Sequence, residues 1–260
     1  MKERLDILLV DKRLVESRTK AQWLIRNGYV IVNGVEIKKP GKKVDNRYDI
    51  RLKKEFPYVG RGGLKIEAAI KEFSIPIENK VCADVGASVG GFTDCLLKHG
   101  ASKVYAIDTA EDLLHPSLRC EKMKNRVIPL LGIDARVLNK LEEKVDICTI
   151  DITFASLKDI LPNIKNYLKR DGDIVVLVKP LFETEFHQES TFKIILDSEK
   201  IYKILIELMD WSKRNLFFPY GIIKSPVLGK GGSIEFLIHY RIDKIKLDFD
   251  YSEFVKKLLD

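Results

Sequence analysis

From residue 81 onward, apolar runs of strand length recur with helical stretches between them, and this alternation limits the fold more than any other feature. The runs are Val81–Val85, Val104–Ile107, Val127–Leu130, Val145–Ile150, Ile174–Val178, Phe217–Ile223 and Ile234–His239. Apolar residues at helical spacing predict helices near Gly91–Lys98, Ser156–Leu168 and Asp197–Lys213, and one more carrying Leu64, Ile66, Ala69, Ile70 and Phe73. Strands alternating with helices bury their apolar faces in an α/β fold, a mainly parallel sheet wrapped by helices. Ligands in such a fold sit at the carboxyl ends of the strands, beside the first crossover. A last strand running antiparallel to the rest brings the residue at its start to that same rim.

The first crossover reads CADVGASVGGFTD, residues 82–94, and two readings compete for it. Gly86-Ala87-Ser88-Val89-Gly90 satisfies G-x-S-x-G, the turn that presents a hydrolase serine. The same residues form a glycine-rich turn between strand and helix, where Gly86, Gly90 and Gly91 let a ligand and the next helix come close. An elbow serine normally follows several strands and needs a later acid and histidine. Here the turn follows the first strand of its domain, His99, His115 and His187 are scattered, and His239 falls inside a strand run. A cofactor turn is the better fit, with Ala87 and Ser88 as its small residues.

Asp108 ends the next strand twenty-two residues after Gly86, a separation suited to accepting hydrogen bonds from ribose hydroxyls. Asp84 at the head of the turn would repel a pyrophosphate but attract a cationic amino-acid moiety. S-adenosylmethionine, with a sulfonium, an ammonium and no phosphate, therefore ranks ahead of a dinucleotide. Asp134, in LLGIDARVL, either accepts the adenine amino group or caps a short helix over Ala135–Leu138; both readings stand.

Three strand runs carry a polar residue at the end facing that rim. Asp151 closes CTID, Lys179 closes DIVVLVK, and Glu235 lies near the start of SIEFLIHY, while Lys65 in GRGGLKIEAA stands just upstream. A single lysine after an apolar run is readily explained by its stem covering apolar surface. Two lysines and two acids on one rim point to chemistry. Opposite charges orient the lysines, while partial burial and a second cation favour a neutral amine. Such an amine can take the proton of a ribose 2′-hydroxyl as its oxygen attacks a methyl donor. No metal is required, and Cys82, Cys95, Cys120 and Cys148 never form C-x-x-C, which suits reduced thiols better than zinc.

Composition adds one strong constraint. The whole formal net charge of +7 lies within the first sixty residues; the other two hundred balance. A basic module joined to a neutral one suggests a nucleic-acid partner, with a solvated lysine-rich surface as the alternative. That module reads as a helix with Leu5, Leu8 and Leu9, supported in its first turn by Asp6. A second helix follows, capped by Ser17 and closed at Gly28, then a hairpin turning at Asn33-Gly34 and a strand near Asp49–Leu52. Arg18, Lys20 and Arg26 make a basic face on the second helix. The expected organisation is a small α+β module over 1–56, a linker over 57–63, an α/β domain over 64–242 and a tail over 243–260. No apolar run approaches the roughly 20 residues of a membrane span, and charges interrupt the first residues where a signal peptide is apolar. A cytoplasmic protein without a membrane partner is expected.

Two resemblances sharpen this. RLDILLVDKRLVESRTKAQWLIRNGYVIVNG resembles the small RNA-binding module named after ribosomal protein S4, and Arg4, Arg18, Lys20 and Arg26 occupy the positions that meet RNA phosphates there. Lys65, Asp151, Lys179 and Glu235 match the Lys-Asp-Lys-Glu tetrad of FtsJ-like RNA 2′-O-methyltransferases. GRGGLKIEAA, DVGASVGGFTDCLL, DITFASL, LVKPLFE and GSIEFL together resemble the TlyA/hemolysin A family over nearly the whole chain to about residue 240. The resemblance implies a Rossmann-like domain using S-adenosylmethionine to methylate ribose 2′-hydroxyls of ribosomal RNA, free or in ribosomal subunits. It also implies Lys179 as the base, with Lys65, Asp151 and Glu235 orienting the attacking oxygen. A binding protein with a non-catalytic methyltransferase fold, or a cytolysin, are the alternatives. TEFHQESTFKIILDSEK after LVKPLFE replaces the glycine-containing loop usual in the family, and the stretch 243–260 lies outside the resemblance.

Overall fold

The computed structural model describes residues 2–184, 197–243 and 250–259. Most of the stretch that departs from the family pattern, including His187, lies outside the described residues. The chain divides into two compact units, Met1–Pro57 and Tyr58–Asp260.

In the first unit, β1 (Lys2–Arg4) leads directly into α1 (Leu5–Asp11), and α2 (Arg18–Arg26) is capped by the Ser17 hydroxyl, which accepts from the Lys20 amide. Three short strands follow, β2 (Val30–Val32), β3 (Val35–Glu36) and β4 (Lys43–Asp45), then β5 (Ile50–Leu52). Asn33 and Gly34 both adopt positive φ, and Val32 pairs with Val35, the two-residue hairpin expected from Asn-Gly. β4 was not legible in advance; it pairs antiparallel with β1 through Glu3 and Val44. The core is Leu5, Leu8 and Leu9 of α1 against Ala21, Leu24 and Ile25 of α2, closed by Val30, Val32, Ile37 and Val44.

The second unit begins with α3 (Gly62–Glu72), which starts inside the stretch read as a linker. It continues with β6 (Val81–Val85), α4 (Gly91–Lys98), β7 (Lys103–Asp108), β8 (Val127–Leu131), β9 (Val145–Ile150), α5 (Leu157–Ile164), β10 (Leu168–Val178), α6 (Ser198–Arg214), β11 (Phe218–Lys224), β12 (Phe236–Arg241) and α7 (Tyr251–Leu259). Seven strands form one sheet in the order β11-β12-β10-β9-β6-β7-β8. All neighbours are parallel except at β12, which is antiparallel to β10 and β11. The expected α/β architecture with an antiparallel last strand is present. α5 is shorter than its periodicity suggests, because Leu168 already pairs with Val145 in the sheet.

Side chains alternate across the sheet. Ala83, Val85, Ile150, Val176 and Ile238 face a core filled by α5 and α6. Asp84, between Ala83 and Val85, faces the other way and meets Thr93 of α4. The helices therefore cover both faces. α7, in the tail to which the sequence assigned no role, packs on α6 and β11: Val255 is buried, and the Tyr202 and Ser252 hydroxyls are 2.7 Å apart.

Candidate active site

β9 and β10 run parallel with Ile150 opposite Val176, so Asp151 and Lys179 leave the sheet at the same rim. The Lys179 Nζ lies 2.5 Å from Asp151 Oδ1 and donates to the Ile152 carbonyl at 2.7 Å and to Thr153 Oγ1 at 2.9 Å. Three acceptors match the three N–H bonds of an ammonium. A neutral amine in this position keeps two of them and gains a lone pair for a proton. On the other side of β10, Phe236 of β12 pairs with Val178, so Glu235 stands at the same end of the sheet. Its carboxylate accepts from Lys65 Nζ at 2.5 Å, and the two side chains are 4% and 10% exposed. Burial leaves each charge dependent on the other, which fixes both side chains. The four rim residues thus form two ion pairs, Asp151–Lys179 and Lys65–Glu235.

Lys65 is held near the rim by a close helix contact. Gly91, at the first turn of α4, lies so near α3 that an added Cβ would come within 3.1 Å of the Gly63 amide nitrogen. The glycines of GRGG and GG meet each other, which is why α3 can start beside the crossover. The turn after Lys179 is fixed as well. Glu183 accepts from Ser156 Oγ at 2.6 Å and the Leu157 amide at 2.9 Å, capping α5 from a distant part of the chain. Burial raises its carboxyl above the usual range. Glu183 sits in a motif singled out in the sequence, but nothing in the spacing revealed this bond.

A cavity of about 550 Å³ opens beside Asp151. Gly86, Ser88, Asp108 and Asp134 line it with Asp151 and Phe154. Gly86 has φ +81, and a Cβ there would collide with the Asp151 carbonyl, so only glycine lets the turn pass. Asp108 accepts from the Ser88 amide at 2.7 Å through one oxygen and from the Ala110 amide at 2.8 Å through the other. It braces the turn against the next loop and keeps lone pairs for a ligand. Ser88 contributes its backbone to that brace and exposes its side chain. Ala87 is buried, its amide on the Ile107 carbonyl, and Gly90 at φ +91 bonds back to Ala87 before α4 begins. Ala87, Gly90 and Gly91 shape the turn from behind and do not line the cavity. Ile133 and Arg136, which do, flank Asp134 in the loop after β8, and Leu113 lies in the loop after β7, which no sequence pattern marked.

One expectation is corrected, for Asp84, and the two readings of Asp134 are narrowed to one. Asp84 does not face the cavity: it is wholly buried, and its carboxylate accepts from the Thr93 amide (2.9 Å), Thr93 Oγ1 (2.6 Å) and Thr149 Oγ1 (3.1 Å). The strand alternation that points Val85 to one face points Asp84 to the other, under α4. Burial pushes its carboxyl up to about 7 against the pull of the Thr93 and Thr149 bonds, with the Asp151 charge adding to the rise. Asp134 lines the cavity but caps no helix; 135–137 is a turn, and Arg136 bonds both Asp134 oxygens, holding that carboxyl below its usual range.

The basic face of the first unit has its own organisation. Arg4 bonds Asp6 through two nitrogens at 2.9 and 3.0 Å, and Arg18 reaches the same carboxylate at 3.1 Å. Both arginine side chains stay about half open to solvent, at 44% and 54% exposure. Lys20 pairs with Glu16 and lies 5.5 Å over the Phe56 ring, leaving its side chain 12% exposed, whereas Arg26 is exposed at the end of α2. Arg4, Arg18 and Arg26 are the more available of the four expected phosphate contacts.

Residues 58–242 match the FtsJ-like methyltransferase family and residues 3–48 match the S4 domain. The chain is 39% identical to hemolysin A of Brachyspira hyodysenteriae, covering 92% of this chain and 100% of the relative. It is 32% identical to the 16S/23S rRNA (cytidine-2′-O)-methyltransferase TlyA of Mycobacterium tuberculosis, covering 92% and 89%. A solved structure from Streptococcus thermophilus, described as a candidate hemolysin, superposes with a TM-score of 0.73 at 34% identity over 99% of this chain and 94% of its own. No helix among the described residues is long and apolar enough to cross a membrane.

Proposed function

We propose that this chain, which belongs to the FtsJ-like methyltransferase family and to its TlyA and hemolysin A branch, methylates a ribose 2′-hydroxyl of ribosomal RNA. In this reading residues 1–56 bind RNA and residues 64–242 carry the chemistry. The methyl donor of the family is S-adenosylmethionine, which supplies, when bound, an electrophilic methyl group on a sulfonium. The cavity suits such a molecule: its volume falls within the usual span of small-molecule pockets, and a glycine turn borders it. Its turn and rim carry carboxylates, which suit cations and hydroxyls better than a pyrophosphate. Asp108 would hold the ribose hydroxyls, and Asp134 would hold the adenine end. Asp84 would act through the turn it braces.

Lys179 would remove the proton of the 2′-hydroxyl. Asp151 and Thr153 orient the amine, and Asp151 offers a carboxylate to balance the positive charge that appears on Lys179 after proton transfer. Lys65, held by Glu235, would stabilise the negative charge developing on the oxygen. The observation that carries this reading is the Asp151–Lys179 pair, because Asp151 also lines the cavity. One residue therefore touches both the base and the space for the donor.

Incubation with tritium-labelled S-adenosylmethionine and unmodified ribosomal subunits, with free ribosomal RNA in parallel, tests the proposal. Label in alkali-resistant dinucleotides is the expected result, since a 2′-O-methyl group blocks cleavage of the next phosphodiester. Label recovered only in bases, or no transfer to either substrate, would overturn it.

A further inference from the structure

Asp6 is fully buried, yet its hydrogen-bonding side-chain partners come from the surface of the first unit. Gln22 Nε2 donates to its Oδ2 at 2.8 Å, Arg18 Nη2 donates to the same oxygen, and Arg4 grips both oxygens with Nε and Nη2. Burial opposes the charge on Asp6, but the bonds from Arg4, Gln22 and Arg18 outweigh it and hold the carboxyl well below the usual carboxylate range. An interior acid of this kind contributes little stability that an apolar side chain would not, so its value lies in what it orients. A bidentate grip fixes the plane of Arg4, and a second guanidinium is drawn to the same carboxylate from twelve residues away. The loop at 40–42 completes the setting. Pro40 and Lys42 accept from the Asp6 and Leu5 amides, and an added Cβ on Gly41 would come within 3.0 Å of Arg4 Nη1.

We propose that Asp6 is a positioning residue that holds Arg4 and Arg18 as a preformed two-pronged clamp for RNA backbone phosphates. This rests on the proposal that the first unit binds RNA. Two guanidiniums fixed before contact surrender less side-chain freedom on binding than two free ones, which raises affinity without adding a contact. Both side chains stay about half exposed, so donors not used by Asp6 can turn to phosphate oxygens. Glycine at 41 leaves Arg4 room to lie flat.

The sign of one substitution separates orientation from plain electrostatics. Asp6→Asn removes a negative charge beside the clamp, so Coulomb attraction alone would tighten RNA binding. Orientation demands the reverse: KM for ribosomal RNA raised about tenfold, kcat unchanged, and a shallower dependence of affinity on salt, in a variant whose melting temperature matches the parent. Binding as tight as the parent, or tighter, would overturn the proposal. If Asp6→Asn melts early, Arg18→Lys decides, since it keeps the charge at a half-exposed position. Weakening close to that of Arg18→Ala supports a fixed fork, and parental affinity overturns it. Arg4→Ala and Arg18→Ala test the underlying reading separately: if neither changes RNA affinity, the first unit does not bind RNA through these residues, and the clamp falls with it.

Discussion

The two units use the same pairing of an acid with a cation and bury it differently. In the first unit the acid is inside and the cations are outside: Asp6 is fully buried while Arg4 and Arg18 are about half exposed. In the second both partners are inside, with Lys65 and Glu235 almost wholly covered and Asp151 and Lys179 mostly so. An exposed cation keeps donors for a large anionic polymer, and salt screens it. A covered cation has few acceptors and is fixed toward them, which suits the transfer of one proton at one atom. In the proposed reading, the depth of the cation, more than its presence, separates the binding face from the reaction centre.

Asp151 is one place to break the comparison. Asp151→Asn should lower the single-turnover rate of methyl transfer by a factor of about 10² to 10³, with donor affinity changed only a few-fold. A rate close to the parent would place the pair among the ordinary surface ion pairs. Lys65→Met should cost roughly 3–5 kcal/mol of stability, because it strands a buried carboxylate. Adding Glu235→Leu should recover most of that in urea melts while leaving transfer defective. Equal melts for single and double variants would mean the pair is not buried in solution.

Asp84 gives the interior a pH signature. Its carboxyl lies at about 7 in the folded protein against an ordinary 3.8, so the folded state keeps a proton that the unfolded chain has released. Stability from this group is full below about pH 4 and falls as pH rises toward 7, by about 4 kcal/mol in all. Asp84→Asn should flatten that slope in urea midpoints measured between pH 4 and 8; an unchanged slope would assign it elsewhere. Asp108→Ala should weaken donor binding about tenfold by titration, the cost of losing hydrogen bonds to a charged acceptor. The smallest effect belongs to the exposed end of α2. Arg26→Ala should reduce RNA affinity two- to threefold and the salt slope by about one, with methyl transfer at saturating RNA unaltered.

What could be read in advance follows the same division. Strand positions came through because Val81–Val85 and Val145–Ile150 are short, mostly apolar stretches of strand length, and the Asn33-Gly34 hairpin because its turn chemistry is local. Asp151, Lys179 and Glu235 were visible as polar ends of apolar runs. Side-chain direction was harder to see. Asp84 is one residue from Val85, and alternation alone decides that it meets Thr93 under α4 instead of the cavity. Glu183 on the first turn of α5 and Asp6 under two arginines depend on contacts made only after folding. β4 is three residues long and exists because β1 is beside it. Local periodicity carries neither the Glu183 and Asp6 contacts nor β4.

The central claim is that Lys179 acts as a base and not merely as a positive charge. Single-turnover transfer by Lys179→Arg separates the two, since arginine keeps the charge but does not release its proton in proteins. Donor and RNA affinities measured on the same variant should stay near parental values while the methyl-transfer rate falls about a thousandfold or more. Transfer by Lys179→Arg within a few-fold of the parent would contradict the account.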